Sequence, residues 1–432
     1  MAGRRRVRPG GRTVPRARLT ADGAPIHSRA EAEFAKIPAV TEDRRSVGLL
    51  SDLMAIESVN PAFPGGRPEA ELARWVASHC RELGLVAELD EVRPDRPNVI
   101  ARLSAGEGRG LLLFEAHLDT VSFGVESMRT PQLRGDRLYG RGSCDAKGSL
   151  AAMLLALERL ARRRTELATD VMLLCTVDEE RAGAGVAHFA TRGIRADGAV
   201  VGEPTSLRTV VAHKGCVRFR LTTRGRAGHS SDPDRAESAI YAMADLLGHL
   251  RSELFPKARA RSHPLVGAPT WSVGTIQGGV AVNIIPDRCV IEIDYRSIPG
   301  ETAEQVLAEV DQALEMFLAS RPGLLVERES PFMVSQPLDT STSAAVVRAA
   351  TLAQARTGGS SPLHGVAYGS DASILALVAG IPSVVIGPGD IASAHGPEEY
   401  VELAQLDRAI ELYEAIALAF DPMQTPAQED QR

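Results

Sequence analysis

The sequence predicts an α/β protein in which a doubly wound domain is interrupted by a second, inserted domain. Short apolar runs such as residues 111–114, 171–174 and 199–201 alternate with stretches of helical apolar spacing, which is typical of a sheet covered by helices on both faces. From about residue 213 the predicted order changes to β-α-β-β-α-β, the ferredoxin-like split motif. The α/β pattern resumes after Pro331.

The predicted elements follow from apolar spacing and from turn residues. Gly84, for example, is placed to end the second helix at its C′ position. In the first part of the chain we predict helices 48–56 and 69–83, strands 85–90, 98–103 and 111–114, a helix after Asp145 with residues 162–164 in its last turn, strand 171–177, a short helix near 186–190 and strand 199–201.

The inserted domain begins with an alternating stretch, residues 217–221, which predicts a half-exposed strand. Further along we predict helix 236–254, strands 271–277 and 288–295, helix 302–318, strand 324–328, helices 343–355 and 371–379, strand 382–386 and helix 404–419. The expected organisation is an Arg-rich tail at 1–44, a first catalytic part at 45–212, the insert at 213–329, a second catalytic part at 330–421 and a tail at 422–432.

Composition narrows the class of protein. A chain of 432 residues with 44% hydrophobic and 24% charged residues is ordinary for a globular protein of two domains. The net charge of −6 comes with no basic stripe, so we expect no nucleic-acid partner. No apolar run could span a membrane, and the five scattered cysteines favour a reducing, cytoplasmic location. The seven arginines of residues 1–19 lack a following apolar segment, so they predict no secretory signal. A disordered tail or an over-extended gene start is the favoured interpretation of this segment, and a transit peptide is the alternative.

Acidic residues and histidines follow four of the predicted strands. These residues are His117 and Asp119, the Asp-Glu-Glu run at 178–180, Glu203, and His395. Ligands bind at the carboxyl ends of strands in an open parallel sheet, so we expect these side chains to meet at one edge. A single His-x-Asp is weak evidence, but four strand ends of this kind predict a metal site.

Charge balance makes two divalent cations reasonable. Asp145, Glu180 and Glu203 would supply three negative charges, a bridging hydroxide a fourth, and His117 and His395 would bind as neutral imidazoles. Such a set is close to neutral, as a buried centre requires. Asp145 lies on a turn before a helix, where a carboxylate can bridge two ions.

Two further acids have expected roles. Asp119 is placed to accept the second imidazole proton of His117 and so to fix its orientation. Glu179, next to a ligand but pointing elsewhere, suits the general base that takes a proton from the attacking water.

Each of these residues also has an ordinary structural explanation. Glu179 and Glu180 alone would be a solvated pair, Asp145 an N-cap, and Glu203 a turn residue before proline. The metal hypothesis is favoured because the acids recur at the same place after successive strands. We predict that the remaining histidines of interest are ordinary loop or surface residues: His213, His263 and His364.

Motifs along most of the chain, from about residue 45 to 420, resemble one known family. They are His-Leu-Asp-Thr-Val at 117–121, Gly-Arg-Gly-Ser-Cys-Asp-Ala-Lys-Gly at 140–148, Asp-Glu-Glu at 178–180, Gly-Glu-Pro-Thr at 202–205, His-Lys-Gly at 213–215, Gly-Arg-Ala-Gly-His-Ser at 225–230, Asn-Ile-Ile-Pro at 283–286, Asp-Tyr-Arg at 294–296, and Gly-Pro-Gly at 387–389 with His395. The sequence thus resembles the dimetal amidohydrolase–peptidase family of acetylornithine deacetylase, succinyl-diaminopimelate desuccinylase, aminoacylase and glutamate carboxypeptidase.

The resemblance implies a zinc-peptidase-like catalytic domain whose insert is a lid and dimerisation domain. It implies His117, Asp145 and Glu203 on one Zn²⁺ and Asp145, Glu180 and His395 on the other, with Co²⁺ or Mn²⁺ able to substitute. Glu179 would be the base and Asp119 the residue that orients His117.

The same resemblance implies a homodimer in which His229 of one subunit stabilises the oxyanion in the site of the other. It also implies that the substrate carboxylate is held by Arg296, Asn283, Gly387 and Gly389, and an arginine fork is the best carboxylate partner.

The resulting functional prediction is a dizinc hydrolase that cleaves the amide bond of an N-acyl amino acid, as acetylornithine deacetylase does, by metal-activated water and the base Glu179. The alternatives within the family are succinyl-diaminopimelate desuccinylation, cleavage of short peptides by a dipeptidase or carboxypeptidase, and hydrolysis of a carbamoyl group. A non-catalytic dimeric binding protein is the alternative from another class. Loss of Glu179 or of a ligand would indicate it, and none is lost.

Overall fold

The structure is a computed structural model of the chain, and it describes residues 45–106, 110–359 and 362–423. The predicted tail at 1–44 lies outside the described residues, as does the predicted tail at 422–432 beyond its first two positions.

The first part of the chain supplies most of a large mixed sheet and the helices that cover it. Its elements are α1 (Arg45–Ala55), α2 (Ala70–Glu82), β1 (Val86–Arg93), β2 (Arg96–Leu103), β3 (Leu111–His117), β4 (Gln132–Arg134), β5 (Arg137–Tyr139), α3 (Lys147–Arg162), β6 (Asp170–Thr176), α4 (Ala184–Thr191), β7 (Gly198–Val201) and β8 (Val210–His213).

A second sheet with its own helices follows. Its elements are β9 (Cys216–Arg224), β10 (Gly228–His229), α5 (Ala239–His249), α6 (Phe255–Arg259), β11 (Thr270–Gly278), β12 (Ile284–Ile285), β13 (Arg288–Arg296), α7 (Ala303–Ala319), β14 (Leu325–Arg328) and β15 (Met333–Ser335). The chain then returns to the first sheet with β16 (Leu338–Asp339), α8 (Ala345–Arg356), β17 (His364–Val366), α9 (Ala372–Leu377), β18 (Ser383–Val385), β19 (Tyr400–Glu402) and α10 (Leu403–Ala419).

The large sheet has a parallel centre and antiparallel edges. Its strand order is β1-β2-β6-β3-β7-β18-β8-β16, and β17 also pairs with β8. The four central strands β6, β3, β7 and β18 are mutually parallel, whereas β1, β2 and β16 run antiparallel to their neighbours. The prediction of a doubly wound α/β domain is confirmed, with the difference that the sheet is mixed and not wholly parallel.

Apolar residues alternate between the two faces of the central strands. On β3, Leu112 and Phe114 pack into the core formed with α3 and α10, and Leu111 and Leu113 pack into the core formed with α4 and α9. Phe114 lies 5.7 Å from the Tyr413 ring of α10, centroid to centroid. Full burial of such a side chain is worth about 1.5–3 kcal/mol. Burial on both faces explains why the sequence of β3 is a continuous apolar run.

The inserted domain has the ferredoxin-like arrangement that the sequence predicts. Its strands are ordered β11-β13-β9-β14, all antiparallel, with β15 also paired to β9. Alternate residues of β13 pack into a core with α5 and α7, namely Cys289, Ile291, Ile293 and Tyr295. β11 is an edge strand of this sheet, and its residues are mostly exposed.

The chain enters and leaves the insert at one place. Leu338 on β16 pairs with His213 on β8, and Ser335 on β15 pairs with Cys216 on β9. The two connections therefore run side by side and antiparallel.

Two local predictions are wrong. The helix predicted at 236–254 begins at Ala239, because the Ser238 hydroxyl accepts a hydrogen bond from the Tyr241 main-chain N–H (3.3 Å), and it changes to a π-helical turn at Leu250–Leu254. His213 is neither a loop nor a surface residue. It is fully buried on β8, where it pairs with Leu338 of β16 and Val366 of β17. None of the helices in the described ranges is long and apolar enough to cross a membrane.

Candidate metal centre

The ends of the parallel strands gather the predicted ligands. His117 is the last residue of β3, the Asp-Glu-Glu run begins two positions after β6, and Glu203 comes two residues after β7. The loop after β18 brings in His395, which has a left-handed backbone (φ +61°). Asp145 lies on the turn that precedes α3. Five residues that are far apart in sequence thus converge on one edge of the sheet, as the topology requires.

Asp145 lies between the two histidines. Its Oδ1 is 2.9 Å from His117 Nε2, and its Oδ2 is 3.1 Å from His395 Nε2. His395 Nε2 is also 3.1 Å from Glu180 Oε1, and His117 Nε2 is 3.8 Å from Glu203 Oε1. One carboxylate oxygen facing each imidazole is the arrangement that a bridging ligand needs.

Two overlapping groups of residues could each hold an ion. Possible ligand atoms of His117, Asp145 and Glu180 lie within 4.8 Å of one another, as do those of His117, Glu179 and Glu203. All five predicted ligands and Glu179 therefore belong to one cluster. The division of the ligands between two ions stays a prediction.

Burial and crowding alter the pKa values in this cluster. Burial lowers the pKa of His117, but its hydrogen bond to Asp145 and the charge of Glu203 outweigh that effect and raise the pKa well above its ordinary value. Hydrogen bonds to Asp145 and Glu180 raise the pKa of His395 to about 10. Burial, followed by the charge of Asp145, raises the pKa of Glu203 well above its usual range. The cluster thus favours positive charge and opposes further negative charge.

The donor set fits divalent cations. Four carboxylates, of Asp145, Glu179, Glu180 and Glu203, approach only two imidazoles, and Asp145, Glu203 and His117 are buried. Carboxylate oxygen and imidazole nitrogen are ligands that zinc takes in proteins. Cations would offset the repulsion between acids that are crowded together away from water.

The prediction was that the Asp119 carboxylate contacts His117, but the group that does so is the Asp119 main-chain carbonyl. His117 Nδ1 is 2.8 Å from the main-chain carbonyl oxygen of Asp119, whereas the nearest carboxylate oxygen of Asp119 is 3.8 Å away. The carboxylate instead accepts the main-chain N–H groups of Glu179 (3.0 Å) and Glu180 (3.1 Å). Because those groups lie at hydrogen-bond distance, the side chain holds the acidic loop and the backbone holds the imidazole.

Sequence reasoning missed one residue that lies behind the site, Glu399. Glu399 is fully buried, and its Oε1 accepts the main-chain N–H groups of Cys144 (3.0 Å) and Asp145 (3.2 Å). Its Oε2 accepts a hydrogen bond from the buried guanidinium of Arg141. Glu399 thereby fixes the turn that carries Asp145. Glu399 follows the predicted ligand His395 by four residues in the sequence, and this proximity is the only feature that could have drawn attention to it.

The glycine loop lies against the metal centre. A Cβ added to Gly387 would stand 2.4 Å from the Glu203 carbonyl oxygen, and one added to Gly389 would stand 2.5 Å from Cys144 Sγ. Gly389 has φ +88° and donates its N–H to Gln405 Oε1 (2.9 Å). Only glycine allows so close an approach here.

The remaining predicted residues are on the insert. His229 is exposed on β10, where its Nδ1 is 2.7 Å from Ser231 Oγ, and the Asn283 carbonyl accepts the main-chain N–H of Ser230 (3.1 Å). Arg296 pairs with Asp294 at 2.9 Å. Within the part of the chain that the structure describes, no hydrogen bond or ion pair joins these three residues to the metal cluster.

A doubly wound domain with carboxylates and imidazoles at its strand ends and a ferredoxin-like insert defines a class, that of the metal-dependent hydrolases. Comparison with protein families agrees with this class. The model of peptidase family M20/M25/M40 matches residues 113–419, more than half of the chain. The chain belongs to this family, and it is a hydrolase that acts on peptide or amide bonds.

Solved structures share the fold at low sequence identity. Aminopeptidase PepT from Bacillus cereus superposes with a TM-score of 0.72 at 23% identity, covering 87% of this chain and 98% of that one. Human carnosine dipeptidase 1 gives 0.70 at 17% identity, with 88% and 96% covered. The YXEP protein of Bacillus subtilis, described as a dinuclear metal binding peptidase, gives 0.65 at 18% identity, with 87% and 97% covered.

Proposed function

We propose that this hydrolase cleaves the amide bond of an N-acyl amino acid, in the manner of acetylornithine deacetylase. The observation that carries the proposal is the placement of Asp145, which offers one oxygen to each of two histidines, with Glu179 in the same cluster. Such a centre needs a bridging carboxylate and a separate proton acceptor, and the chain supplies both.

Five residues would hold the ions. His117 and Glu203 are nearest one side of Asp145, and Glu180 and His395 are nearest the other. Two divalent ions, zinc in our proposal with cobalt or manganese able to replace it, would supply water activation and polarisation of the scissile carbonyl.

The protein's own groups carry the proton. Glu179 takes a proton from the attacking water and then gives it to the leaving amine, so that the amine departs neutral. The Asp119 carboxylate accepts a hydrogen bond from the main-chain N–H of Glu179 (3.0 Å) and so keeps Glu179 in place. The Asp119 main-chain carbonyl keeps the His117 ring in one orientation.

The substrate carboxylate is assigned to Arg296, Asn283 and the loop of Gly387 and Gly389. Arg296 uses Nε and Nη2 on Asp294, at 2.9 and 3.2 Å, which leaves Nη1 for a carboxylate oxygen. The glycine loop packs directly against Glu203 and Cys144, because it carries no side chain there, and this packing keeps the loop beside the metal centre.

We further propose a homodimer through the insert. An apolar patch is exposed beside His229. The two are adjacent because His229 on β10 pairs with Ile284 of the patch on β12. The patch comprises Tyr241 (76% exposed), Val280 (88%), Val282 (101%) and Ile284 (40%). Large exposed apolar patches and free edge strands such as β11 are surfaces suited to a protein partner. A second copy there could present its His229 to the site as an oxyanion donor, a contribution worth about 3–4 kcal/mol in comparable enzymes.

The dimer is tested by complementation. His229→Ala and Glu179→Ala proteins should each be nearly inactive and should regain activity when their subunits exchange, because a mixed dimer has one site with both groups intact. Exchange should be verified by mass spectrometry of differently tagged subunits. Verified exchange without any recovery of activity would rule out the arrangement in trans.

Short peptides are the second candidate substrate, since similar structures are described as an aminopeptidase and a dipeptidase. Zinc-loaded enzyme should be assayed against N-acetyl, N-succinyl and N-carbamoyl amino acids and dipeptides, with Glu179→Gln as the inactive control. We expect the highest kcat/KM for an N-acetyl amino acid. Faster turnover of N-succinyl-diaminopimelate or of a dipeptide would replace the proposal with that alternative.

The five cysteines are all free and buried, which supports the cytoplasmic location that we propose.

A further inference from the structure

The acidic loop after β6 contains a residue in an uncommon conformation. Asp178 has φ +69°, in the left-handed region, which is strained for a residue other than glycine and persists only where the surroundings hold it. Aspartate is one of the few side chains that tolerate this region. The Asp178 carbonyl accepts the main-chain N–H groups of Ala182 (3.0 Å) and Gly183 (2.7 Å), which closes the turn.

The Asp178 side chain is held from the opposite direction. Its Oδ1 accepts Asn60 Nδ2 at 3.0 Å and lies 3.1 Å from Arg96 Nη2. Arg96 is itself fixed by a two-point contact with Glu69, with Nε to Oε2 at 2.7 Å and Nη2 to Oε1 at 2.5 Å. Asn60 and Glu69 are completely buried, and Asp178 is 2% exposed. A buried fork of this kind allows the partner carboxylate little freedom.

The same network reaches the other side of the loop. The Asn60 amide, besides donating to Asp178, donates to Asp119 Oδ2 at 2.7 Å. Asp119 then accepts the main-chain N–H groups of Glu179 and Glu180. One continuous set of hydrogen bonds therefore holds the turn at its first residue and at the two following residues.

We propose that Asp178, held by Arg96 and Asn60, is a positioning residue that fixes the directions in which Glu179 and Glu180 enter the metal centre. This inference rests on the proposed function, in which Glu179 moves the proton and Glu180 holds an ion. Removal of the Asp178 carboxylate would free the turn, and the carboxylates of both glutamates would no longer be confined to one place.

The chain offers a matched control at the opposite end of the same strand. Asp170, the first residue of β6, is 4% exposed and lies 2.8 Å from Nε of Arg102, a residue of β2. Asp178 follows the carboxyl end of β6 and contacts Arg96, the first residue of β2. The two ion pairs thus join the same two strands, but only one is beside the metal centre.

The test compares Asp178→Asn, Asp178→Gly and Asp170→Asn in the full-length protein. Glycine retains the left-handed turn without the carboxylate, so a defect in Asp178→Gly reports the side-chain contacts and not backbone strain. For both Asp178 variants we expect kcat or zinc affinity to fall about 10- to 100-fold, as for other residues behind metal ligands. KM should stay unchanged, since no substrate contact is lost. Asp170→Asn should lower the thermal midpoint comparably while retaining kcat and zinc affinity.

Zinc affinity should be measured by competition with a chromophoric chelator, which needs no substrate. Wild-type kcat and zinc affinity in both Asp178 variants would overturn the inference, as would equal losses in Asp170→Asn. If the Asp178 variants do not fold, Arg96→Lys takes their place, because lysine keeps the charge but cannot make the forked contact with Glu69 while it also reaches Asp178. Wild-type zinc affinity and kcat in that variant would also overturn the inference.

Failure of the proposed function would be recognised separately. A wild-type enzyme that hydrolyses no member of the substrate panel, or a Glu179→Gln variant with full turnover, contradicts the role of Glu179 as the base. The zinc-affinity comparison of the Asp178 and Asp170 variants would still decide whether Asp178 positions Glu180.

Discussion

Replacing Glu399 by glutamine should destabilise the protein although the two side chains have nearly the same shape. The two oxygens of Glu399 face donors on both sides, with the guanidinium of Arg141 at Oε2 and the main-chain N–H groups of Cys144 and Asp145 at Oε1. Glutamine has one acceptor oxygen, so in either orientation its NH₂ group must face other donors. The Arg141 side chain is 2% exposed and would also lose its counter-charge.

Breaking a buried ion pair by changing one partner costs about 3–5 kcal/mol. That loss should appear in urea unfolding of metal-free protein as a lower midpoint with an unchanged slope. Zinc affinity should fall as well, because the turn that carries Asp145 loses two hydrogen bonds. The control is Glu414→Gln. Glu414 is 14% exposed, but its partners Arg159 and Arg163 are 48% and 41% exposed, and ion pairs that water screens contribute about 0–1 kcal/mol. Equal stabilities of Glu399→Gln and Glu414→Gln would refute the reasoning.

Three further predictions concern the centre and the thiols. Dialysis against a chelator should abolish hydrolysis and zinc or cobalt should restore it, as measured by initial rates and metal analysis; full activity without metal would contradict the mechanism. Glu179→Ala should keep both ions, and its kcat should fall about 10²- to 10⁴-fold, which is the usual contribution of general acid–base catalysis. Glu180→Ala should lose metal as well as activity. Loss of metal in Glu179→Ala would mean that Glu179 is the ligand and Glu180 the base. Burial raises the pKa of Cys80 to about 12, so its thiolate is scarce in the folded protein at pH 8 and becomes more abundant only as the pH approaches 12; mass spectrometry should find Cys80 alkylated by iodoacetamide at pH 8 only after unfolding.

The features that sequence reasoning predicted well are those with a strong local signal. β3 and β6 are buried on both faces, so their sequences are continuous apolar runs, and polar residues that follow such runs stand out. Because parallel strands place their carboxyl ends together, His117, Glu180 and Glu203 could be brought together before any coordinates were known. The order of strands and helices was sufficient for the ferredoxin-like insert.

The features that were missed depend on partners far away in the chain. β19 has three residues and exists because its Val401 pairs with Leu138 of β5, far away in the chain, a contact with no local pattern. No local pattern distinguishes His213 from a histidine in a loop, and it is buried only because distant parts of the chain pack around it. The orientation of His117 by a main-chain carbonyl could not be predicted either, since every residue has such a carbonyl.

The side-by-side crossing between the two sheets makes the insert an exchangeable module. Because Cys216 and Ser335 are paired neighbours, a short turn could join the chain there without breaking the connectivity of the large sheet. A different domain with adjacent ends could equally be attached at the same two points. Recombination at this junction would replace the insert as a whole and leave the ligands on their own strands, so the second domain could change without rebuilding the metal centre.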